Sequence, residues 1–230
     1  MIARISMVEA FLKGRFSAFL VLLALLFLVV PLVPADLGVA KKVFDIFILA
    51  MLASCLRAVS RSRTFFLFMI AFTVLNLGLG SYGIVADEDG QGFGIVMLVV
   101  RIVYFILVFL SIMNYVLDSG PVTGDKICGA ISAYMMMGIV WGFIYALFYS
   151  IDPGSFRIPE EMASSEIGHS WIFYFSFTTL TTLGYGDLVP MKPAIQSYAI
   201  MEAACGQIFL AVIIARLIAL HITHERDSTT

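Results

Sequence analysis

The chain has 230 residues, of which 61% are hydrophobic and only 13% are charged. A soluble domain keeps about a quarter of its residues charged, so the composition excludes an ordinary soluble protein and indicates a polytopic membrane protein. The net charge of −2 and the absence of a basic run give no reason to expect nucleic acid as a partner. The expected surroundings are a lipid bilayer.

Apolar spans follow one another along the chain, each about long enough to cross a bilayer as a helix. Four are predicted at 16–33, 43–59, 65–84 and 94–117, and two more at 127–151 and 194–222. We favour a retained first helix over a signal peptide, whose apolar core usually has only about 7–15 residues.

Between the last two spans, residues 171–181 form an apolar segment that is too short to cross the bilayer. We predict a half-helix that enters the membrane from one side and passes the chain to an irregular stretch. Non-helical backbone at membrane depth persists only where it is buried in protein or lines a pore. The predicted fold is therefore an all-α membrane protein with six transmembrane helices and one re-entrant segment.

The distribution of lysine and arginine predicts the orientation in the membrane. With the N-terminus inside, the cytoplasmic segments hold nine of the 14 basic residues and the outer segments hold four. The remaining one, Arg101, lies within the fourth span. Both termini are therefore predicted to be cytoplasmic, in a protein of the plasma (inner) membrane.

The most informative stretch is 178–187, TTLTTLGYGD, directly after the half-helix. A dehydrated K⁺ needs a cage of oxygens in place of its water, and rings of backbone carbonyls can supply one. Carbonyls face a common axis when right- and left-handed residues alternate, and Gly184 and Gly186 allow left-handed positions at little steric cost. The Thr182 hydroxyl can add a further oxygen, and Tyr185 is bulky enough to brace the loop.

The string Thr182-Leu183-Gly184-Tyr185-Gly186 closely resembles the Thr-Val-Gly-Tyr-Gly selectivity filter of potassium channels, with Leu183 where valine is usual. Residues 127–222 resemble the two-helix pore domain of that superfamily. The resemblance implies that the permeant ion, K⁺, is coordinated by the carbonyls of residues 182–185 and by the Thr182 hydroxyl, with no organic cofactor. One chain supplies only a quarter of a ring, so a homotetramer is required.

The resemblance also implies support for the filter from Thr178, Thr181 and Asp187, with Asp187 at the outer mouth bonding back towards the pore helix. The chain departs from its relatives at two of these places. Tyr174 and Phe175 stand where many relatives have a tryptophan pair, so the aromatic brace around the filter is altered. Thr178 stands where some relatives have glutamate, so Asp187 is expected to lack a carboxyl partner there.

Gly206 lies 20 residues after Gly186, the spacing of the inner-helix hinge glycine in this superfamily. The alternative, that Gly206 only allows close packing of helices, stays open. Gln207, Leu210 and Ile214 follow at helical spacing and are candidates to line the cavity and the inner gate.

The first four spans have the layout of a voltage-gated subunit, but the fourth holds Arg101 alone. Voltage sensing typically takes about 3–4 gating charges per subunit, so we expect weak or no voltage dependence. Asp45 and Arg101 both fall in the outer half of the membrane, and a charge in lipid needs a partner, so we predict that they pair. Glu202, the other intramembrane acid, either bonds to the pore helix or senses protons.

The predicted organisation is a four-helix transmembrane domain at 1–120, a pore domain at 127–222 and a short cytoplasmic tail at 223–230. His221 and His224 near the inner gate are either sensors of internal pH or solvated bystanders. The leading function is a K⁺-selective channel, and the runner-up is a channel that passes K⁺ and Na⁺ alike. A receptor or accessory subunit with a silent pore is a third class. A membrane enzyme is disfavoured, since no metal-ligand spacing, nucleophile motif or phosphate loop occurs.

Overall fold

The computed structural model describes residues 14, 16–29, 67, 69–76, 78, 91–159, 162 and 170–229. The helices in this part of the chain are α1 (Ser17–Val29), α2 (Gln91–Val116), α3 (Gly124–Ile151), α4 (Ser170–Leu180) and α5 (Pro193–Thr229). Residues 69–76, within the predicted third span, are also helical. The predicted second span, and with it Asp45, lies outside the described residues.

Three of the described helices are long and apolar enough to cross a membrane, over Gly92–Val116, Gly124–Ile151 and Pro193–Leu220. They correspond to the predicted fourth, fifth and sixth spans, and α1 covers part of the predicted first span. The described part of the chain is therefore that of a helical integral membrane protein, and the full set of six spans stays a prediction.

The last helix is longer than we expected. α5 continues to Thr229 and includes residues that we had assigned to a polar tail. Extending an existing helix adds one hydrogen bond for each residue that is ordered, so a polar sequence can continue a helix that it would not nucleate. The side chains of His221 and His224 lie outside the described part of the chain.

A small sheet is present, which the all-α prediction did not include. A 3-10 turn, Pro153–Ser155, leads from α3 into β1 (Phe156–Arg157), which pairs with β2 (Val189–Pro190). The pairing is antiparallel and places Phe156 opposite Pro190. The pairing joins the segment that follows α3 to the segment that follows residue 187.

Two clusters of buried side chains hold the helices together. The first joins α1, α2 and α3, and in it Phe105 stacks on Phe143 with 5.2 Å between ring centroids. Phe27 of α1 also meets Phe177 of α4 edge-on at 4.5 Å. The sequence did not indicate whether the first helix packs on its own chain or on a neighbouring one. In the structure α1 packs on α3 and α4 of its own chain. The second cluster surrounds α4 and the small sheet, with buried members Tyr145, Phe156, Trp171, Ile172, Phe175, Leu188 and Ile195.

The turn between α2 and α3 ties three helices at one end. Asp125, in the first turn of α3, accepts the Phe16 N–H at 2.8 Å and the Tyr115 hydroxyl at 3.1 Å. Lys126 is buried, and its Nζ donates to two backbone carbonyls of the turn, the nearer at 2.6 Å. Arg216 of α5 donates to a further carbonyl of this turn. The buried Lys126 Nζ is tolerated here because the carbonyl oxygens of Asp118 and Gly120 accept its hydrogen bonds.

Candidate ion-binding site

The candidate site begins where α4 ends, at Leu180, one residue earlier than the predicted half-helix. The helix stops there because its last carbonyls bond to the chain that follows. The Thr178 carbonyl accepts the N–H groups of Leu183 at 2.8 Å and Gly184 at 3.1 Å, and the Thr179 carbonyl accepts that of Thr182 at 2.9 Å. Terminal carbonyls have no partner within their own helix, so the loop satisfies them and is fixed to α4 in return.

Alternate residues of the loop have a left-handed backbone. The φ angles are 60° at Thr182, 51° at Gly184 and 79° at Gly186. Both glycines adopt the conformation that we expected of them. We did not expect it at Thr182, because a left-handed residue with a Cβ costs roughly 1–2 kcal/mol. The alternation is the backbone pattern that a line of carbonyls on one axis requires.

The loop is exposed within a single chain. Residues 182–187 are all exposed, with 55% of Leu183 and 68% of Tyr185 accessible. A Cβ built on Gly184 or Gly186 would meet no atom within 4 Å. One subunit therefore presents this backbone outwards instead of burying it in its own core.

The hydroxyls of Thr178 and Thr181 form hydrogen bonds to backbone carbonyls of α4. The Thr178 hydroxyl donates to the Phe175 carbonyl at 3.0 Å, and that of Thr181 donates to the Phe177 carbonyl at 2.7 Å. These bonds tighten the end of α4 from which the loop starts.

The far end of the loop is tied to α4 through Asp187. Its carboxylate accepts the Tyr174 hydroxyl at 2.7 Å, and the Tyr174 ring stacks on Tyr185 with 6.5 Å between centroids. We expected Asp187 to bond back towards the preceding half-helix; a bond to α4 is present, and a tyrosine hydroxyl is its donor. Tyr174, one of the two residues at the place of the tryptophan pair of many relatives, thus contacts both Asp187 and Tyr185.

This tie predicts a pH dependence. The bond from the Tyr174 hydroxyl holds the pKa of Asp187 below its ordinary value. The tie is complete above this lowered pKa and is lost as the pH falls through it. Tyr174→Phe is expected to raise the pKa of Asp187, so that protonation begins at a higher pH. Titration of the carboxyl signal by NMR checks this, with Tyr198→Phe as the control, and an unchanged titration in Tyr174→Phe contradicts it.

α4 packs closely on α3 at two glycines. Gly138 and Gly142 face the rings of Phe177 and Phe173, and an added Cβ would come within 2.7 Å and 2.6 Å of those rings. Each pair is four residues apart and so shares one helix face. We missed this contact, although the Gly-x-x-x-Gly spacing at 138–142 is a known signal of close packing between membrane helices.

α5 meets the end of α4 at Gly206. An added Cβ would lie 2.5 Å from the carbonyl oxygen of Leu180 and 2.9 Å from its Cδ1. The same carbonyl accepts the Tyr134 hydroxyl at 3.3 Å. α5 is an unbroken helix through this point. The geometry favours close packing, the alternative to a hinge that the sequence left open.

Glu202, one turn before Gly206, is fully buried between three helices. Its Oε1 lies 2.6 Å from the Ser176 hydroxyl of α4, and its Oε2 lies 2.6 Å from the Tyr145 hydroxyl of α3. Of the two alternatives for Glu202, the bond to the preceding half-helix is therefore present, since Ser176 belongs to α4. We missed Tyr145, for which the signal was that an acid within an apolar span needs polar partners from its neighbours.

The remaining predicted residues are dispersed. Gln207, Leu210 and Ile214 are exposed on α5 within one chain. Arg101 lies in α2, and its predicted partner Asp45 is outside the described residues, so their pairing stays a prediction. Within the described ranges, no group of three or more His, Cys, Asp or Glu side chains is placed to hold a metal ion.

Comparison with known proteins gives two matches. Residues 126–221 match a protein family described as ion channel. Over 40 residues the chain is 45% identical to the inward rectifier potassium channel Kirbac3.1 of Paramagnetospirillum magnetotacticum, an alignment that covers 17% of this chain and 14% of that protein. No solved structure is significantly similar. The first match shows that residues 126–221 are similar to ion channels, and the second is a local similarity to a potassium channel.

Proposed function

We propose that the chain is one subunit of a homotetrameric, potassium-selective channel. The observation that carries the proposal is the alternating left-handed backbone at Thr182, Gly184 and Gly186, in a loop that one subunit presents outwards. In the tetramer, the carbonyls of residues 182–185 and the Thr182 hydroxyl replace the hydration shell of K⁺. The ion passes without covalent chemistry.

The surface of α5 supports assembly around an axis. Large apolar side chains are exposed along it, including Ile200 at 71%, Met201 at 53% and Ile208 at 62%. An apolar face of this extent in one chain is a site for contact with other chains or with lipid. In the proposed tetramer, Gln207, Leu210 and Ile214 line the cavity below the filter. The C-terminal end of α4 carries a partial negative charge that favours a cation there.

The proposed subunit has six transmembrane helices, with both termini on the cytoplasmic side of the plasma membrane. Residues 1–120 form a four-helix domain with weak or no voltage dependence, and residues 127–222 form the pore domain. The match of residues 126–221 to ion channels supports this division.

Reversal potentials test the function directly. Purified protein in a planar bilayer, with unequal K⁺ concentrations on the two sides balanced by Na⁺, is expected to give a current that reverses close to the K⁺ equilibrium potential, because a filter of rigid carbonyl rings favours the larger ion. Reversal near zero would replace this proposal with a channel that does not discriminate between the two ions. Absence of current from correctly folded protein would favour a receptor or accessory subunit.

A further inference from the structure

Three short contacts form a chain of oxygens beside α4. The Glu202 Oε2 lies 2.6 Å from the Tyr145 hydroxyl, and the Glu202 Oε1 lies 2.6 Å from the Ser176 hydroxyl. The Ser176 hydroxyl in turn lies 2.7 Å from the carbonyl oxygen of Gly138. Two oxygens at such separations are in hydrogen-bonding contact and share one hydrogen. We call these four groups the Glu202 cluster.

The cluster has too few hydrogens if Glu202 is ionised. The Ser176 and Tyr145 hydroxyls supply one hydrogen each, and the Gly138 carbonyl and a carboxylate supply none. Three contacts would then share two hydrogens. One pair of oxygens would face each other at 2.7 Å or less with only lone pairs between them, in a site where Glu202, Ser176 and Tyr145 are 0% exposed.

One added proton satisfies every contact. If Glu202 carries it on Oε1, the acid donates to Ser176, Ser176 donates to the Gly138 carbonyl, and Tyr145 donates to Oε2. A neutral carboxyl also avoids the cost of an unpaired charge within the membrane. Among the described residues, the titratable groups near Glu202 are Tyr145 and Tyr134, both from α3, and α4 contributes the Ser176 hydroxyl. No basic side chain in the described ranges forms an ion pair with it.

We propose that Glu202 is held as a neutral carboxylic acid, and that it is a positioning residue whose proton fixes α4 between α3 and α5. Ser176 is two residues before Thr178, whose carbonyl holds the N–H groups of Leu183 and Gly184. The hydrogen count alone carries the protonation. The consequence for conduction rests on the proposed function, because it requires the 182–186 loop to be the ion pathway.

Ionisation of Glu202 would remove one of the hydrogen bonds that hold α4. With two hydrogens left, Ser176 donates either to Glu202 or to Gly138, so α4 loses its bond to one of the two neighbouring helices. An amide at position 202 does not have this problem, because its NH₂ group donates to Ser176 and its oxygen accepts from Tyr145. Glu202→Gln therefore preserves all three contacts, whereas Glu202→Ala removes two of them.

Infrared spectroscopy of the purified full chain at neutral pH tests the protonation. The wild-type protein is expected to show a carbonyl-stretching band of a protonated carboxyl that is absent from Glu202→Gln. No such difference would overturn the proposal. Tyr145→Phe, which leaves Glu202 in place, is expected to keep the band, shifted by the lost hydrogen bond.

The same preparations test the positioning role. K⁺ flux in liposomes is expected to stay within about twofold of wild type for Glu202→Gln, and to fall about tenfold for Glu202→Ala, since one buried donor or acceptor is left unsatisfied. Equal losses in both variants would show that the negative charge is required and would overturn the inference. The infrared band does not depend on flux, so a silent wild-type protein that shows the band refutes the channel and leaves the protonation standing.

Discussion

Gly184→Ala is expected to abolish K⁺ flux and to leave the subunit folded. Gly184 has a φ of 51°, and its position is open, with no atom within 4 Å of an added Cβ. Holding this left-handed conformation costs alanine roughly 1–2 kcal/mol, and in the proposed tetramer the cost arises in all four subunits. The backbone is therefore expected to relax and turn a carbonyl away from the axis.

The measurement is K⁺ flux in liposomes together with thermal unfolding in detergent. Gly94→Ala is the matched control, because Gly94 lies in α2 with no atom within 4 Å of an added Cβ and has an ordinary helical backbone. We expect normal flux from Gly94→Ala, and a cooperative unfolding transition from both variants. Normal flux through Gly184→Ala would show that residues 182–186 are not the ion pathway.

Gly206→Ala is expected to destabilise the fold itself. The added Cβ would lie 2.5 Å from the Leu180 carbonyl oxygen, which belongs to the backbone and cannot rotate away. Overpacking of this kind typically costs about 1–3 kcal/mol. The end of α4 must shift, and the 182–186 loop, which follows it, shifts with it.

Thermal unfolding distinguishes close packing from a hinge. Alanine is favoured over glycine within a helix by about 1 kcal/mol, so a variant at a hinge with free space is expected to keep or gain stability. The Gly94→Ala control measures that gain without the clash. A Gly206→Ala protein that is as stable as wild type but opens differently would favour the hinge.

The site works as a loop that is held at both ends by one short helix. The backbone carbonyl of Thr178 fixes its start and the hydroxyl of Tyr174 fixes its end, and both residues lie on α4, four residues apart. α4 is itself seated on the glycines of α3 and on Gly206 of α5. The exposed ion pair between Lys192 and Asp152, at 3.1 Å, adds little, because exposed pairs contribute about 1 kcal/mol or less.

Several features could be predicted because their causes are local in sequence. The length of an apolar run sets whether a helix spans the membrane, and this identified α2, α3 and the apolar part of α5. A segment too short to span identified α4. The tolerance of glycine for positive φ identified the left-handed positions at 184 and 186.

Hydrophobic length and backbone freedom are properties of neighbouring residues, so the amino-acid order was enough to predict a helical membrane protein with a glycine-spaced loop between its last two spanning helices. The contacts that hold this loop became visible only in the folded chain. Asp187 meets Tyr174 at a separation of 13 residues, and Glu202 meets Ser176 at 26 and Tyr145 at 57. Hydrogen-bond partners so far apart in sequence depend on how the helices pack. The packing determines which polar groups are buried, and buried polar groups must form hydrogen bonds with one another.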